Sequence, residues 1–276
     1  MANFDLSNSF TYPLTPTGKS SLLSPFPWHY GTEYLNIVYR TEPQKIAAWL
    51  PKPLEPSKLH PDVAYAAFSK WWSVSEGGES LAFINPERTQ YKEAAIWVGC
   101  SYQGEEGQIC LPIWVDNDFS MARGWMMGFY KRLGQIYITD YNPCNPVQTP
   151  EGPGSKLKGI VCSHGERLME GTIEIERKIT REELPRPMGL PLFHIRHFPS
   201  IVPGERPSVC ELMRLGAENW NYDENIWAGK GSLTFYKSEI EEHTDLAPLE
   251  ILGAYRFRNG YTFPGATRLY DWNTAQ

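Results

Sequence analysis

The sequence predicts an α+β domain built on a large antiparallel or mixed sheet with few helices. Three observations lead there. Ten short segments rich in β-branched and aromatic residues follow one another between residues 33 and 257. Only two stretches carry helical spacing with start and stop signals. No internal repeat or composition shift divides the chain, so many strands and few helices fall to one layered domain. Residues 1–25, rich in Ser, Pro and Thr without periodicity, read as an N-terminal arm, and residues 26–276 as the single domain.

The strand candidates begin with Glu33–Arg40, Val63–Trp71, Ala94–Tyr102 and Gln108–Val115, the last two joined by a turn expected at Gly104-Glu105-Glu106-Gly107. Gly159–His164, Met169–Ile179, Phe193–Phe198, Val209–Leu215, Gly231–Tyr236 and Ile251–Phe257 complete the set. In Thr172–Glu176 the alternation is clean: Ile173 and Ile175 face inward, Thr172, Glu174 and Glu176 outward. Residues 142–158 read as a long surface loop. The first helix is expected after a capping box at Thr41-Glu42-Pro43-Gln44, with Ile46, Trp49 and Leu50 on one face. The second is expected from about Phe119 to Leu133, with Asp118 or Ser120 as N-cap and Gly134 as the stop.

Composition excludes several classes. The chain has 276 residues, 41% hydrophobic and 21% charged, with 10 Trp and 15 Tyr and a formal net charge of −6. An acidic balance argues against nucleic acid, whose phosphates need a basic face, so the aromatic residues are expected in a core or a lined cavity. No run of 18 apolar residues is present, so no membrane partner is expected. The opening MANFDLSNSF lacks the basic and apolar regions of a secretory signal, and five widely spaced cysteines without a CxxC pair suit free thiols; a cytoplasmic setting is expected. His194 and His197 lie three apart in a strand, on opposite faces, so no metal site is expected. Lys70 is expected at a strand end, and Glu239, Glu241 and Glu242 on a solvated face.

The segment SMARGWMMGFYKRLG at 120–134 concentrates the chemistry. On a continuous helix Lys131 shares a face with Gly124, Met127 and Gly128, all small or apolar. The glycines weaken the helix and permit close approach to a sheet, which places Lys131 in a desolvated setting. Burial and the adjacent charge of Arg132 both favour the neutral amine, the form that attacks a ketone. The same spacing also suits a solvated lysine at a helix C-terminus, so the pattern alone leaves both readings open.

FYKRLG at 129–134 resembles the segment of the acetoacetate decarboxylase family that carries its Schiff-base lysine. EYLNIVYRT at 33–41, LPKPLEP at 50–56, VDND at 115–118, PSVCELMRL at 207–215 and APLEIL at 247–252 are similar to further family landmarks in the same order. The resemblance covers about residues 26–272. It implies a conical β-barrel fold, assembly into a homo-oligomer, and a cofactor-independent carbon–carbon lyase acting on a small keto acid. It assigns the nucleophile to Lys131 and an active-site glutamate to Glu93, with Tyr91 on the same strand face. Arg132, Thr32, Phe129 and Met127 are implied neighbours that bind substrate or tune the lysine. Thr32 stands where the decarboxylases carry an arginine that holds the substrate carboxylate, and a second acidic position falls on Ala66. These departures, with Trp97, Trp125 and Tyr91 around the site, suit a keto substrate larger than acetoacetate. Decarboxylation of a β-keto acid, aldol condensation with dehydration, and non-catalytic binding of a small molecule are the three readings. Retention of both Lys131 and Glu93 argues against the last.

Overall fold

The computed structural model describes residues 5–75 and 78–274. The elements run β1 (Trp28–Arg40), α1 (Pro43–Trp49), β2 (Glu55–Pro56), β3 (Val63–Ser75), α2 (Glu79–Ile84), β4 (Gln90–Tyr102) and β5 (Glu105–Val115). They continue with α3 (Asp118–Met127), β6 (Lys131–Leu133), β7 (Gln135–Ile138), β8 (Lys156–Ser163), β9 (Glu166–Ile179) and β10 (Leu192–Phe198). The chain finishes with β11 (Val209–Leu215), β12 (Glu218–Tyr222), β13 (Ile226–Phe235), β14 (Glu250–Phe263) and β15 (Ala266–Asp271). All ten expected strands are present. The α+β class with one large mixed sheet is therefore correct.

The sheet runs β15-β11-β10-β5-β4-β3-β1-β14-β13-β9-β8-β7. Its pairings are antiparallel except where β5 meets β6 and, at Gln108 alone, β10. The expected conical barrel does not close. The path ends at β15 and β7, which do not pair with each other, and the far edge of β5 is split between β10 at its start and β6 at its end. A barrel needs every strand edge paired.

Strand alternation sends the two faces of β1, β3 and β4 to different tasks. Leu35, Ile37 and Tyr39, Ala64, Ala66 and Phe68, and Ala94, Ile96 and Val98 pack with Ile136, Leu157, Val161, Met169, Ile173 and Ile175 in the main core. The alternate residues, Tyr34 and Asn36, Tyr65 and Ala67, and Tyr91 and Glu93, line a cavity on the opposite side. Ala66 therefore cannot stand at a cavity position; its neighbours Tyr65 and Ala67 do.

Several local expectations need correction. The hairpin turn is Gln103-Gly104, with φ of 49° and 87°, two residues between β4 and β5. That is the left-handed pair a tight hairpin requires, and it leaves Glu105–Gly107 free to pair as strand. Helix α1 starts from Glu42 with Pro43 in its first turn, and no side chain caps it. The Thr41 hydroxyl donates instead to the Ala247 carbonyl. The arm is docked over its described part, residues 5–25. Leu23 is buried, and Arg88 donates to the carbonyls of Ser21 and Leu22.

Candidate active site

The main correction concerns Lys131. Helix α3 stops at Met127, capped at its start by the Asn117 side chain and at its end by Gly128, which has φ of 95°. Gly128 ends it because only glycine takes that left-handed conformation at little cost. A Cβ there would also meet the Ile195 carbonyl carbon at 2.8 Å, so the turn lies hard against β10. The chain then enters β6, and Lys131 pairs in parallel with Ile113 of β5. Lys131 is thus a strand residue that reaches back under α3. A Cβ on Gly124 would meet the Lys131 Cδ at 2.3 Å. The glycine is there for the lysine stem, as the small-residue face suggested, although the geometry is helix against strand.

Period-2 alternation also separates Lys131 from Arg132. Lys131 points into the cavity and is 6% exposed. The Arg132 side chain turns to the other side, half exposed, and pairs with Glu241 at 2.6 Å. It cannot serve as the charge beside the amine. Glu241 in turn is buried rather than solvated.

Within the cavity the Lys131 Nζ lies 3.0 Å from Glu93 Oε2 and donates to Ser120 Oγ at 3.0 Å. The rings of Tyr91 and Phe129 stand 5.0 and 5.5 Å from it. Glu93, 4% exposed, comes from β4, two residues beyond Tyr91 on the same face, as expected. The indole of Trp125 is half exposed and outside the cavity; its Nε1 donates to the Lys131 carbonyl at 2.8 Å and fixes that backbone. Trp97, Phe129 and Met127 do line the cavity. Thr32 is buried but does not. It lies across from Trp71, whose ring stacks on Tyr91 and occupies that wall. Lys70 is absent from the wall and pairs with Asp140 on the outer side.

The cavity measures about 570 Å³, within the range of small-molecule sites. Burial pushes the Tyr30 phenol up to about 12 and raises those of Tyr34 and Tyr91 above the ordinary value too, so these hydroxyls stay protonated donors. Burial likewise raises the Cys110 thiol well above its ordinary value, which removes it as a nucleophile. His194 is buried against Phe129, ring centroids 3.9 Å apart, and burial holds it neutral, down to about 3. His197 is exposed on the opposite face, and among the described residues no cluster of metal-ligating side chains occurs.

Sequence reasoning missed Arg123. It is 5% exposed, lines the cavity, and sits among the rings of Trp28, Tyr30, Tyr91 and Phe119 at 5.0–5.6 Å. Its Nη1 donates to Ser73 Oγ, its Nη2 has no partner, and no carboxylate among the described residues pairs with it. The signal was in the spacing. Ser120, Arg123, Gly124 and Met127 stand at i, i+3, i+4 and i+7, one helical face, and all four meet Lys131 or line the cavity.

The cavity thus joins a buried lysine–glutamate pair, an aromatic wall and a guanidinium without a carboxylate partner among the described residues. A profile described as Acetoacetate decarboxylase (ADC) matches residues 11–272, and the chain belongs to that family. Acetoacetate decarboxylase of Chromobacterium violaceum is 26% identical over 267 residues, covering 96% of this chain and 95% of its own. Among solved structures, the enduracididine biosynthesis enzyme MppR, complexed with the condensation product of pyruvate and imidazole 4-carboxaldehyde, is 31% identical with a TM-score of 0.88. The match covers 96% of this chain and 97% of MppR. An acetoacetate decarboxylase-like enzyme of Sphingomonas wittichii RW1 is 28% identical with a TM-score of 0.87, covering 95% and 99%.

Proposed function

We propose that this protein forms a Schiff base between Lys131 and a 2-keto acid of the pyruvate type, then condenses it with an aldehyde and eliminates water. The observation that carries the reading is Arg123, a buried cation without a counterion beside the Lys131–Glu93 pair. It offers the guanidinium that Thr32 cannot, from α3 rather than β1. A carboxylate of the keto acid bound there is held as an anion by charge-assisted hydrogen bonds, and the likeness to MppR favours condensation over decarboxylation.

Glu93, 3.0 Å from Nζ, is placed to take the ammonium proton. The neutral amine adds to the ketone carbon, water leaves, and an iminium forms. Loss of a proton from the adjacent carbon gives an enamine, whose carbon attacks the aldehyde carbonyl. Protonation of the new alkoxide and loss of water leave a conjugated iminium. Hydrolysis then releases an unsaturated 2-keto acid and frees Lys131. Support comes from the likeness to MppR and from a cavity large enough for two reactants.

Decarboxylation of a β-keto acid larger than acetoacetate is the second reading, favoured by membership of the family itself. The deciding experiment is borohydride reduction with pyruvate and peptide mapping, run beside assays for condensation product and for carbon dioxide release. The expected outcome is a label on Lys131 and its loss, with all turnover, in Lys131→Ala. A label elsewhere rejects the lysine assignment. Rapid carbon dioxide release from β-keto acids without condensation selects the second reading.

A further inference from the structure

The cavity has a second polar end, across from the lysine. Asn36 is 2% exposed and lines the wall; its Nδ2 donates to Met188 Sδ at 3.1 Å, and its Oδ1 has no partner. Sheet register places it level with Lys131. Asn36 pairs with Ala67, Ala67 with Ala95, Ala95 with Ile113 and Ile113 with Lys131. Four inter-strand steps of about 4.8 Å separate the two backbones along the sheet, and both side chains line the same cavity. The strand positions between them hold the small side chains of Ala67 and Ala95 and then Ile113, while Tyr34, Trp97 and Phe129 add aromatic wall. That space suits a flat apolar body lying between the lysine and the amide.

We infer that the aldehyde partner carries, at the end remote from its carbonyl, a neutral hydrogen-bond donor that Asn36 Oδ1 accepts. This rests on the Schiff-base condensation reading and specifies its second substrate. A buried acceptor without a partner is uncommon in a folded protein, and this one belongs to a side chain of the cavity wall. Two neighbouring polar groups of the wall are already engaged. Tyr65 donates to Gln108 Oε1 at 2.7 Å, and Gln108 Nε2 donates to the Leu190 carbonyl at 3.0 Å. The donor is neutral because Arg186, also on the cavity wall, donates to the Met188 carbonyl beside Asn36 and disfavours a second cation. An alcohol, an amide N–H or an azole N–H satisfies the description.

The test compares two aldehydes of nearly equal shape with pyruvate as partner, 4-(hydroxymethyl)benzaldehyde and 4-ethylbenzaldehyde, with 4-formylbenzoate as the anionic rival. The hydroxymethyl compound is expected to have the higher kcat/KM by roughly three- to tenfold, the worth of one hydrogen bond to a buried neutral acceptor. In Asn36→Leu that ratio should fall to about one or invert. A wild-type ratio of one or less, or an unchanged ratio in the variant, overturns the inference. A dominant preference for 4-formylbenzoate also overturns it and gives this end to Arg186. If the variant does not fold, the wild-type ratio decides alone. Borohydride trapping of pyruvate on the same samples keeps the two failures apart. An unlabelled Lys131 defeats the condensation reading, whereas a labelled Lys131 without the preference defeats only the role of Asn36.

Discussion

Two buried arginines in this molecule have opposite surroundings. Arg256, 4% exposed, reaches Glu33 at 2.7 Å and Glu151 at 2.9 Å, and Arg258 binds the same two carboxylates at 3.1 and 2.8 Å. Burial works against the Glu33 charge, and the hydrogen bonds and charges of Arg256 and Arg258 outweigh it, holding the carboxyl below its ordinary value. Arg123, equally buried, has rings and a hydroxyl for company and no carboxylate among the described residues. The difference separates structure from function. A closed set of two cations and two anions has no capacity left for a ligand, and Glu151 uses it to fasten the 142–155 loop to β14. An unpaired guanidinium in a cavity is a desolvation cost that only a bound anion repays in full.

The largest expected effects come from breaking each arginine in turn. Arg256→Met leaves Glu33 and Glu151 short of a partner, and unfolding by urea should report a loss of about 3–5 kcal/mol. Arg123→Met removes a charge that no protein carboxylate compensates, so stability should change by less than about 1 kcal/mol. Its loss should appear instead in pyruvate trapping, where the apparent affinity drops by the equivalent of about 2–5 kcal/mol. A variant of Arg123 that melts as early as the Arg256 variant, with pyruvate capture intact, would abolish the contrast.

Strand periodicity was the readable part of this chain. Tyr34, Tyr65 and Trp97 reach one face because alternate strand residues must, and the expected segments that hold them announce that alternation; Tyr91 and Glu93, just ahead of the expected Ala94–Tyr102, join them because β4 begins at Gln90. What could not be read was where helical periodicity ends. Gly124 and Gly128 look alike in SMARGWMMGFYKRLG, yet one accommodates the lysine stem and the other terminates the helix with a positive φ. Because of that, Lys131 was expected on a helix with Arg132 near it, and the structure puts Arg132 on the other side of a short strand against Glu241. Arg123 was overlooked for a related reason. Its isolation from any carboxylate is a property of β1, β3 and α3 together and leaves no trace in local sequence. The open sheet likewise depends on which strands meet the far edge of β5, a long-range matter.

A smaller, local change sharpens the contrast between a helix face built for stability and one built for the lysine. Gly124→Ala improves helix propensity by about 1 kcal/mol, but the added methyl would fall 2.3 Å from the Lys131 Cδ. The stem must move, and with it the 3.0 Å contacts of Nζ to Glu93 and Ser120. A displacement of about 1 Å in a reacting group costs on the order of 10²-fold in rate. The variant should therefore keep its melting temperature within a few degrees while its turnover falls by about that factor. Full turnover would mean that Lys131 does not depend on the glycine for its position.

The smallest effect is one of pH, and it sets His194 beside the Glu33 cluster. His194 is held down to about 3 by burial first and the Lys131 charge second, from an ordinary 6.5, and both its ring nitrogens lack partners. Between those values the unfolded chain binds a proton that the folded chain refuses, so stability falls as pH drops from about 6.5 towards 3. One such group contributes at most about 1.4 kcal/mol per pH unit. Glu33 works in a lower window. Its folded value lies below its unfolded 4.5, so its stabilisation is present above that pH and is lost as pH falls through the folded value. His194→Leu should thus make the stability curve shallower between pH 6 and about 5, where His243, also lowered by burial, keeps a share of the slope and Glu33 in the unfolded chain is still mostly ionised, and leave the steeper acid limb in place. Urea unfolding at half-unit intervals measures both limbs. An unchanged slope in the upper window would show that the buried imidazole gains its proton without cost, and with it would go the account of a dry wall beside Lys131.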